Sequence, residues 1–425
     1  MTRTTPADRR RSAQQRPAQP RPTSQRPRRR PLTREEALER QRRRDHQREM
    51  EQQSRELAKG PVDLPFLLLV LLLTAIGLVM LLSASFPSAY YETNDPAHYF
   101  VRQGVFAIMG VAAMLFIGKI NYQRFRALAK PALFVTVVLL ALVLIPGIGI
   151  MRNNARRWLG IGELLTFQPS EIAKVAIVLY FADSISKKKD KMRTFRYGIL
   201  PYALLLMLVG GLVLLEPHLS GAILIMGAGA AIMLVGGINW AWVGGALGAA
   251  AGMMYLVLFV IGYNTSRITY WLDPWEDAQG AGYQLSQSLI SIGSGGLLGV
   301  GLGKSRQKFM FLPEEHNDFI FAIVCEELGL IGAGIIMLLF AALILRGYWI
   351  ALHARDRFGS LMVVGITTLI ALQTFLNIGV VTGLLPTTGI SLPFFSYGGT
   401  ALSIQLAEMG IVLSVSRQMR PTKAG

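Results

Sequence analysis

Residues 64–84 read LPFLLLVLLLTAIGLVMLLSA. An uncharged stretch of this length matches the ~20 residues that a helix needs to cross the hydrocarbon of a bilayer. Runs of the same kind recur almost to the C-terminus. Spans are expected near 64–84, 104–118, 131–146, 169–184, 199–215, 220–237, 241–262, 319–345, 360–384 and 399–415. The pattern predicts an all-α polytopic membrane protein of about ten transmembrane helices, with a large outer loop between the seventh and the eighth. Composition agrees: of 425 residues 52% are hydrophobic and only 16% charged, with a mean hydropathy of +0.40. A soluble chain of this length would carry more charge. The single cysteine, Cys325, excludes a disulfide within the chain and a cysteine-built metal cluster.

The chain reads as three parts: a charged tail over 1–60, a membrane domain over 61–420 that contains a long loop at 263–318, and a short end at 421–425. The net charge of +17 is unevenly placed, because residues 1–63 hold 18 Lys and Arg against 9 Asp and Glu. The Pro/Arg/Gln-rich first part is expected to be disordered. From Thr33 to Glu36 the spacing is that of a helix-capping box. No aromatic interleaving supports nucleic-acid binding, so attraction to anionic membrane lipids is the simpler account of the charge. The inner loops follow from their positive charge: KINYQRFRALAK, KKKDKMRTFR, RGYWIALHARDR and the tail RQMRPTK place both termini in the cytoplasm.

Two segments on the other side break the rule. GIGIMRNNARRWLGIGELLTFQPSE sets Arg152, Arg156 and Arg157 where positive charge is scarce, and the loop from 263 to 318 is far longer than a connector. Arg156 and Arg157 precede a helix that opens at Pro169-Ser170-Glu171, with Lys174 one turn further in. Helix N-termini attract anions, so this group suits a diphosphate. An interfacial anchor for the arginines and a self-contained Glu171–Lys174 pair is the plainer alternative. GSGGLLGVGLGKS lacks the glycine spacing of a phosphate loop, with Leu298 where glycine is needed, and reads as glycines for tight turns and close packing. FLPEEHNDFIFAIVCEELG offers Glu314, Glu315, His316 and Asp318, then Glu326 and Glu327, as hard ligands for a divalent ion, or as first-turn acidity with capping by Asn317. In WLDPWEDAQGAGYQ, residues 271–284, Asp273 before Pro274 suits a turn. Asp277 has no such role and could act as a general base.

Taken together, ARRWL…FQPSEIAK, GYQLSQSLISIGSGGLLGVGLG, FLPEEHNDFIFAIVCEELG and NIGVVTGLLPTTGISLPFFSYGG resemble the SEDS family (FtsW, RodA, SpoVE), membrane glycosyltransferases of bacterial shape, elongation, division and sporulation. The likeness covers about 62–420. It implies polymerisation of lipid II, a disaccharide-peptide on undecaprenyl diphosphate, into glycan strands outside the cytoplasmic membrane, with Asp277 as general base. It further implies that Arg156, Arg157, Glu171, Lys174, Gln284, Ser288, His316 and Ser396 bind the diphosphate and sugars. Glu314 and Asp318 would hold a divalent cation, Mg or Mn, should one be used; no other cofactor is implied. The implied partners are a class B penicillin-binding protein, other division proteins and membrane lipids. The long basic tail and the TTGISLPFFSYGG wording favour the division branch, at the septum, over elongation or sporulation. The chain departs from the usual pattern at His218, Asn317, Ala278 and Thr400-Ala401. A lipid II transporter and a recruiting scaffold are the competing classes, and a transporter has no need of the base.

Overall fold

The computed structural model describes Gln41 and residues 60–152, 155–161, 165–239, 241–242, 244–245, 248 and 265–419. The chain divides into two units, Met1–Gln53 and Ser54–Gly425. The tail expected to be disordered, the short end at 421–425 and most of the span expected near 241–262 lie outside the described residues.

The membrane unit is helical. In chain order it contains α1 (Leu64–Thr93), α2 (His98–Ile117), α3 (Phe125–Val143), α4 (Pro169–Lys188), α5 (Leu200–Leu215) and α6 (Leu219–Val235). Then follow α7 (Thr265–Leu272), α8 (Tyr283–Gly295), α9 (Ile320–Leu352), α10 (Arg357–Val381) and α11 (Gly399–Ser416). Among the described residues seven helical stretches are long and apolar enough to cross a membrane, and α6 is a shorter apolar helix. Helix α4 matches them in length but carries Glu171, Lys174 and Asp183.

Local chemistry sets the helix starts. Asp63 caps α1, its Oδ1 accepting from the Phe66 N–H at 3.0 Å, with Pro65 in the first turn where no donor is missed. The same carboxylate takes both arms of Arg346 near the far end of α9, at 3.0 and 2.7 Å. Helices α2 and α11 approach closely, because a Cβ at Gly110, Gly399 or Gly410 would run into Leu406, Phe106 or Met114. Small residues permit this packing where lipid offers no hydrophobic drive between helices.

The arginine-bearing segment, expected as a loop in an all-helical chain, is a small antiparallel sheet of β1 (Ile150–Arg152), β2 (Ala155–Ile161) and β3 (Leu165–Phe167) in the order β1-β2-β3. Short strands separated by turns leave little periodicity to read. Ala155 and Leu159 are buried, and β2 bulges at Arg157, since Ile150 pairs with Trp158 but Met151 with Arg156.

The long segment after α7 is not a surface loop but a hairpin that enters the bundle. Helix α8 descends parallel to the first turns of α9, and the chain then returns through 302–319. Helix α9 breaks at Gly329, whose φ of 66° suits glycine alone, and the hairpin fills the break. Val300 and Gly301 donate to the carbonyls of Glu326 and Glu327 at 2.9 and 3.1 Å, and Leu330 and Ile331 donate to those of Gly296 and Leu297 at 2.9 and 3.2 Å. Glu326 and Glu327, expected among candidate metal ligands, instead pin this hairpin. Glu326 accepts from Ser291, Ser305 and the Arg306 N–H at 3.1, 2.5 and 2.8 Å. Glu327 pairs with Lys308 at 2.9 Å and accepts from Ser83 of α1 at 2.7 Å. The Lys308 and Glu327 side chains are 3% and 0% exposed, so removing one partner strands a charge out of water. Lys308→Met should therefore lower stability by about 3–5 kcal/mol, and Lys308→Met with Glu327→Leu should recover much of the loss. Thermal melting in detergent measures both; a melting point unmoved by the single change would show the pair to be incidental.

Candidate active site

One end of the bundle gathers the polar segments. The β2 strand, the start of α4, the turn between α5 and α6, residues 313–318 and residues 385–398 meet there. Asn377 of α10 ties two of them, its Nδ2 donating to the carbonyls of Asp318 at 2.7 Å and Ile390 at 2.6 Å. Ser396 ties them again, donating to the Asn317 carbonyl and accepting from the Leu392 N–H, both at 2.7 Å. Tyr397 N–H reaches the His316 carbonyl at 2.9 Å, and Gln103 of α2 joins Ser396 and Gly398 through its amide.

His316 is held on every side. Tyr99 stacks on its ring at 4.7 Å, Tyr397 stands edge-on at 6.0 Å, and Glu315 lies 3.3 Å from Nδ1. Asn317 donates to Glu314 at 2.6 Å. Asp318 faces Glu314, His316 and Arg157. Loss of water and the Glu314 charge push its carboxyl up to about 6, against the pull of Arg157 and His316.

Arg157 turns onto the α5–α6 turn, its Nε donating to the Glu216 carbonyl at 3.1 Å and its Nη2 to the Pro217 carbonyl. Arg156 lies opposite Met151 of β1. Of the three cations expected at the start of α4, Lys174 is itself paired with Glu171 at 2.7 Å. His218 approaches the same helix start, with Gln168 Nε2 and Ser170 Oγ at 3.1 and 3.3 Å from Nδ1. Two donors on one nitrogen assign the neutral ring with its proton on Nε2. Burial, Arg157 and Lys174 hold the ring neutral by lowering its pKa to about 3.

Asp277 sits apart on its own loop. Its Oδ2 accepts from the Ala281 N–H at 2.9 Å, and its carbonyl accepts from Gly280 and Gly282 at 3.2 and 3.1 Å. A Cβ at Gly280 would stand 2.3 Å from Oδ2, so the loop closes round the carboxylate only with glycine there. Asp273 makes the expected turn, accepting from Trp275 N–H at 3.0 Å. Trp271 Nε1 fastens the loop to the Gly383 carbonyl at 2.8 Å, and Gln284 lies 3.4 Å from the Pro313 carbonyl.

Two expected binding residues have other work. Ser288 is fully buried and donates to Val381 at 2.7 Å, which clamps α8 to the end of α10, so it does not face a ligand. The Ser396 hydroxyl is likewise taken up by the loop contacts above. Among the described residues no three His, Cys, Asp or Glu side chains are grouped to hold a metal ion. Glu314 and Asp318 alone make too small a donor set for a metal seat built by the protein, and no step below passes through one. Sequence reasoning missed the burial of Glu216 at the end of α5 and the aromatic clasp of Tyr99 and Tyr397 on His316. The only linear signal for Glu216 was a carboxylate between two apolar runs. Beside the site, α1 and α2 enclose an apolar groove of about 580 Å³ lined by Leu71, Leu78, Phe100, Val101, Val105 and Ile108.

The Asp318 shift has a measurable consequence. A carboxyl raised from its ordinary range to about 6 favours the fold as the neutral acid, and that contribution is lost as pH rises through 6. Asp318→Asn should gain on the unsubstituted chain by about 2–3 kcal/mol between pH 4 and pH 7.5. Parallel melting curves at the two pH values test it, and a constant difference would refute the shift.

Comparison with known proteins places this architecture. Residues 63–421 match the FTSW_RODA_SPOVE family, described as "Cell cycle protein". Stage V sporulation protein E of Bacillus subtilis is 44% identical over 363 residues, 85% of this chain and 99% of that protein. A probable peptidoglycan glycosyltransferase FtsW of Geobacter metallireducens is 43% identical over 361 residues, 85% and 96% of the two chains. A solved chain from work on polymerization and crosslinking by a peptidoglycan synthase complex superposes with a TM-score of 0.71 at 29% identity, over 84% of this chain and 98% of that one. The Thermus thermophilus rod shape determining protein RodA gives 0.63 at 29% identity, over 85% and 99%. With its full membrane unit matched and relatives above 40% identity along nearly their whole length, the chain belongs to the FtsW/RodA/SpoVE family.

Proposed function

We propose that the chain is a peptidoglycan glycosyltransferase that polymerises lipid II at the outer face of the cytoplasmic membrane, in the service of cell division. The observation that carries this reading is the loop built round Asp277. Ala281 N–H occupies Oδ2 and orients the carboxylate, while Oδ1 serves as the base. Oδ1 takes the proton from the acceptor's sugar 4-hydroxyl. That oxygen forms a bond to the donor's anomeric carbon with inversion, the bond from that carbon to the diphosphate oxygen breaks, and the diphosphate leaves with the electron pair. Arg157 holds charge near the leaving group, with His218 as a neutral neighbour that adds no competing cation. The apolar groove between α1 and α2 accepts the isoprenoid chain, whose burial contributes about 0.8 kcal/mol per CH₂. His316, Tyr99 and Tyr397 offer ring faces to a sugar.

The division role rests on the FtsW-named relatives and on the basic tail, which suits anionic lipids and division partners on the cytoplasmic side. A class B penicillin-binding protein is the proposed partner, by likeness to a chain that works in a peptidoglycan synthase complex.

Asp277→Asn should abolish polymer from fluorescent lipid II, by at least a hundredfold, in the folded protein assayed with its partner, because the amide cannot take the proton. Full activity would discard Asp277 as the base. Gly280→Ala should lower turnover at least tenfold with little change in melting point, since its methyl displaces the carboxylate within a partly exposed loop. Unchanged turnover would show that the loop's grip on Asp277 is irrelevant to the chemistry.

A further inference from the structure

At the end of the bundle away from the candidate site, the turn between α4 and α5 carries three cations without a counter-charge among the described residues. Helix α4 is 20 residues long, so its last residues stand about 30 Å from the site at its first turn. Beyond it a turn of 3-10 helix (Lys189–Arg193) and one of π-helix (Phe195–Ile199) lead into α5. Lys187 and Lys188 are used internally. Lys187 pairs with Asp183 at 2.6 Å, and Lys188 donates to the Tyr197 carbonyl at 2.8 Å and lies over the Tyr202 ring at 4.5 Å. Lys191, Arg193 and Arg196 are exposed, and among the described residues none of them makes an ion pair or a side-chain hydrogen bond. Arg196 reaches only the Tyr197 ring, at 6.0 Å. Met192 between them is fully buried, and a Cβ at Gly198 would run into its carbonyl, so the turn packs on itself and holds the cations in place.

The surroundings of these cations are apolar. Phe195 and Tyr197 are exposed, and Phe195 meets exposed Trp242 with ring centroids 4.9 Å apart. Such rings gather at the level of lipid headgroups. The stretch from Phe195 to Leu215 is itself long and apolar enough to cross a membrane. Leu200, Leu204, Met207 and Leu208 are exposed, and their spacing sets them on one face of α5. Arg196 lies four residues before Leu200, so the cations stand at the head of an outward apolar stripe.

We propose that Lys191, Arg193 and Arg196 form a seat for the phosphate headgroup of an anionic phospholipid whose acyl chains lie along α5. The stripe selects a lipid over a free phosphate or an acidic protein, because only a lipid carries an anion and long apolar chains that run together into the bilayer. Basic residues at a membrane surface add their attraction for anionic lipid one by one, so three enrich it over a zwitterionic lipid. Under the orientation that the loop charges predict, this is the inner leaflet. Nothing in this surface depends on the reaction proposed above.

The experiment is thermal melting of the purified full chain in dodecyl maltoside, titrated with dioleoyl phosphatidylglycerol or with dioleoyl phosphatidylcholine. At saturation the first lipid should raise the melting point by about 4 °C and the second by about 1 °C. Lys191→Gln with Arg193→Gln and Arg196→Gln should melt at the same temperature without lipid, since these side chains have no ion pair to lose. This triple variant should need at least about tenfold more phosphatidylglycerol for half of the shift. Arg193→Gln alone, which keeps the contact of Arg196 with Tyr197, should show an intermediate loss and guards against a folding defect in the triple variant. The basic tail also attracts anionic lipid, so Arg28→Gln with Arg29→Gln and Arg30→Gln removes the same charge there and should change that concentration by less than about twofold. Equal shifts from the two lipids overturn the proposal, and so does equal weakening by the two triple changes. An equal shift from inorganic phosphate would reveal a free-anion site, and a larger one from poly-glutamate a protein-docking patch; either result rejects the lipid seat.

Discussion

The Lys308–Glu327 ion pair closes the fold at the level where the hairpin meets α9. A charged pair out of water is a poor source of net stability, since desolvation offsets most of the attraction. Its value here is geometric. Lys308 lies on the returning limb of the hairpin, Glu327 just before the break in α9 and Ser83 on α1, so one cluster locks three segments in register. Glu326 does the same for α8 through Ser291 and for the returning limb through Ser305. Above that lock the limb delivers Glu314 to Asp318 to the site end of the bundle, where Asn377 and Ser396 fasten it to the loop at 390–397. A shift of the hairpin by one residue would leave two carboxylates buried without partners, which is why only one register is tolerated.

The site that results is a balance of opposite charges with few free valences. Lys174 is matched by Glu171, and Arg157 is set on backbone carbonyls, so neither is a loose cation waiting for any anion. Such preorganisation favours charge that develops during bond breaking over charge already present in the substrate, because nothing has to reorganise when it appears. It also makes the site sensitive to proton occupancy at Asp318 and Glu216, whose carboxyl groups are both raised by burial.

Asp277 contrasts with this rigid floor. Its loop is partly exposed, framed by glycines, and fastened through Trp271 to the end of α10. Loops on a rigid scaffold can reach ligands that helices cannot.

The class of fold was legible in the sequence because lipid imposes a simple rule: about 20 apolar residues and an internally bonded backbone make a spanning helix. Helices α1, α2, α3, α9, α10 and α11 begin and end within several residues of the expected spans, α1 and α9 continuing furthest beyond them. The turn at Asp273 was also readable, since turn chemistry is local. Other features were decided by tertiary structure alone. The small sheet that carries Arg156 and Arg157, with its bulge at Arg157, is built from strands too short to announce themselves. Glu326 and Glu327 look like metal ligands until Ser305, Lys308 and Ser83 close on them. Ser288 looks like a binding residue until α10 covers it. In each case linear spacing shows which polar groups exist, whereas the partners that satisfy them come from segments 20 to 240 residues away. The sequence by itself determined a polytopic helical membrane protein of this family and its carboxylate-bearing loop. Only the folded bundle decided which charges are paired and buried, because desolvation depends on what packs around a group and not on its neighbours in the chain.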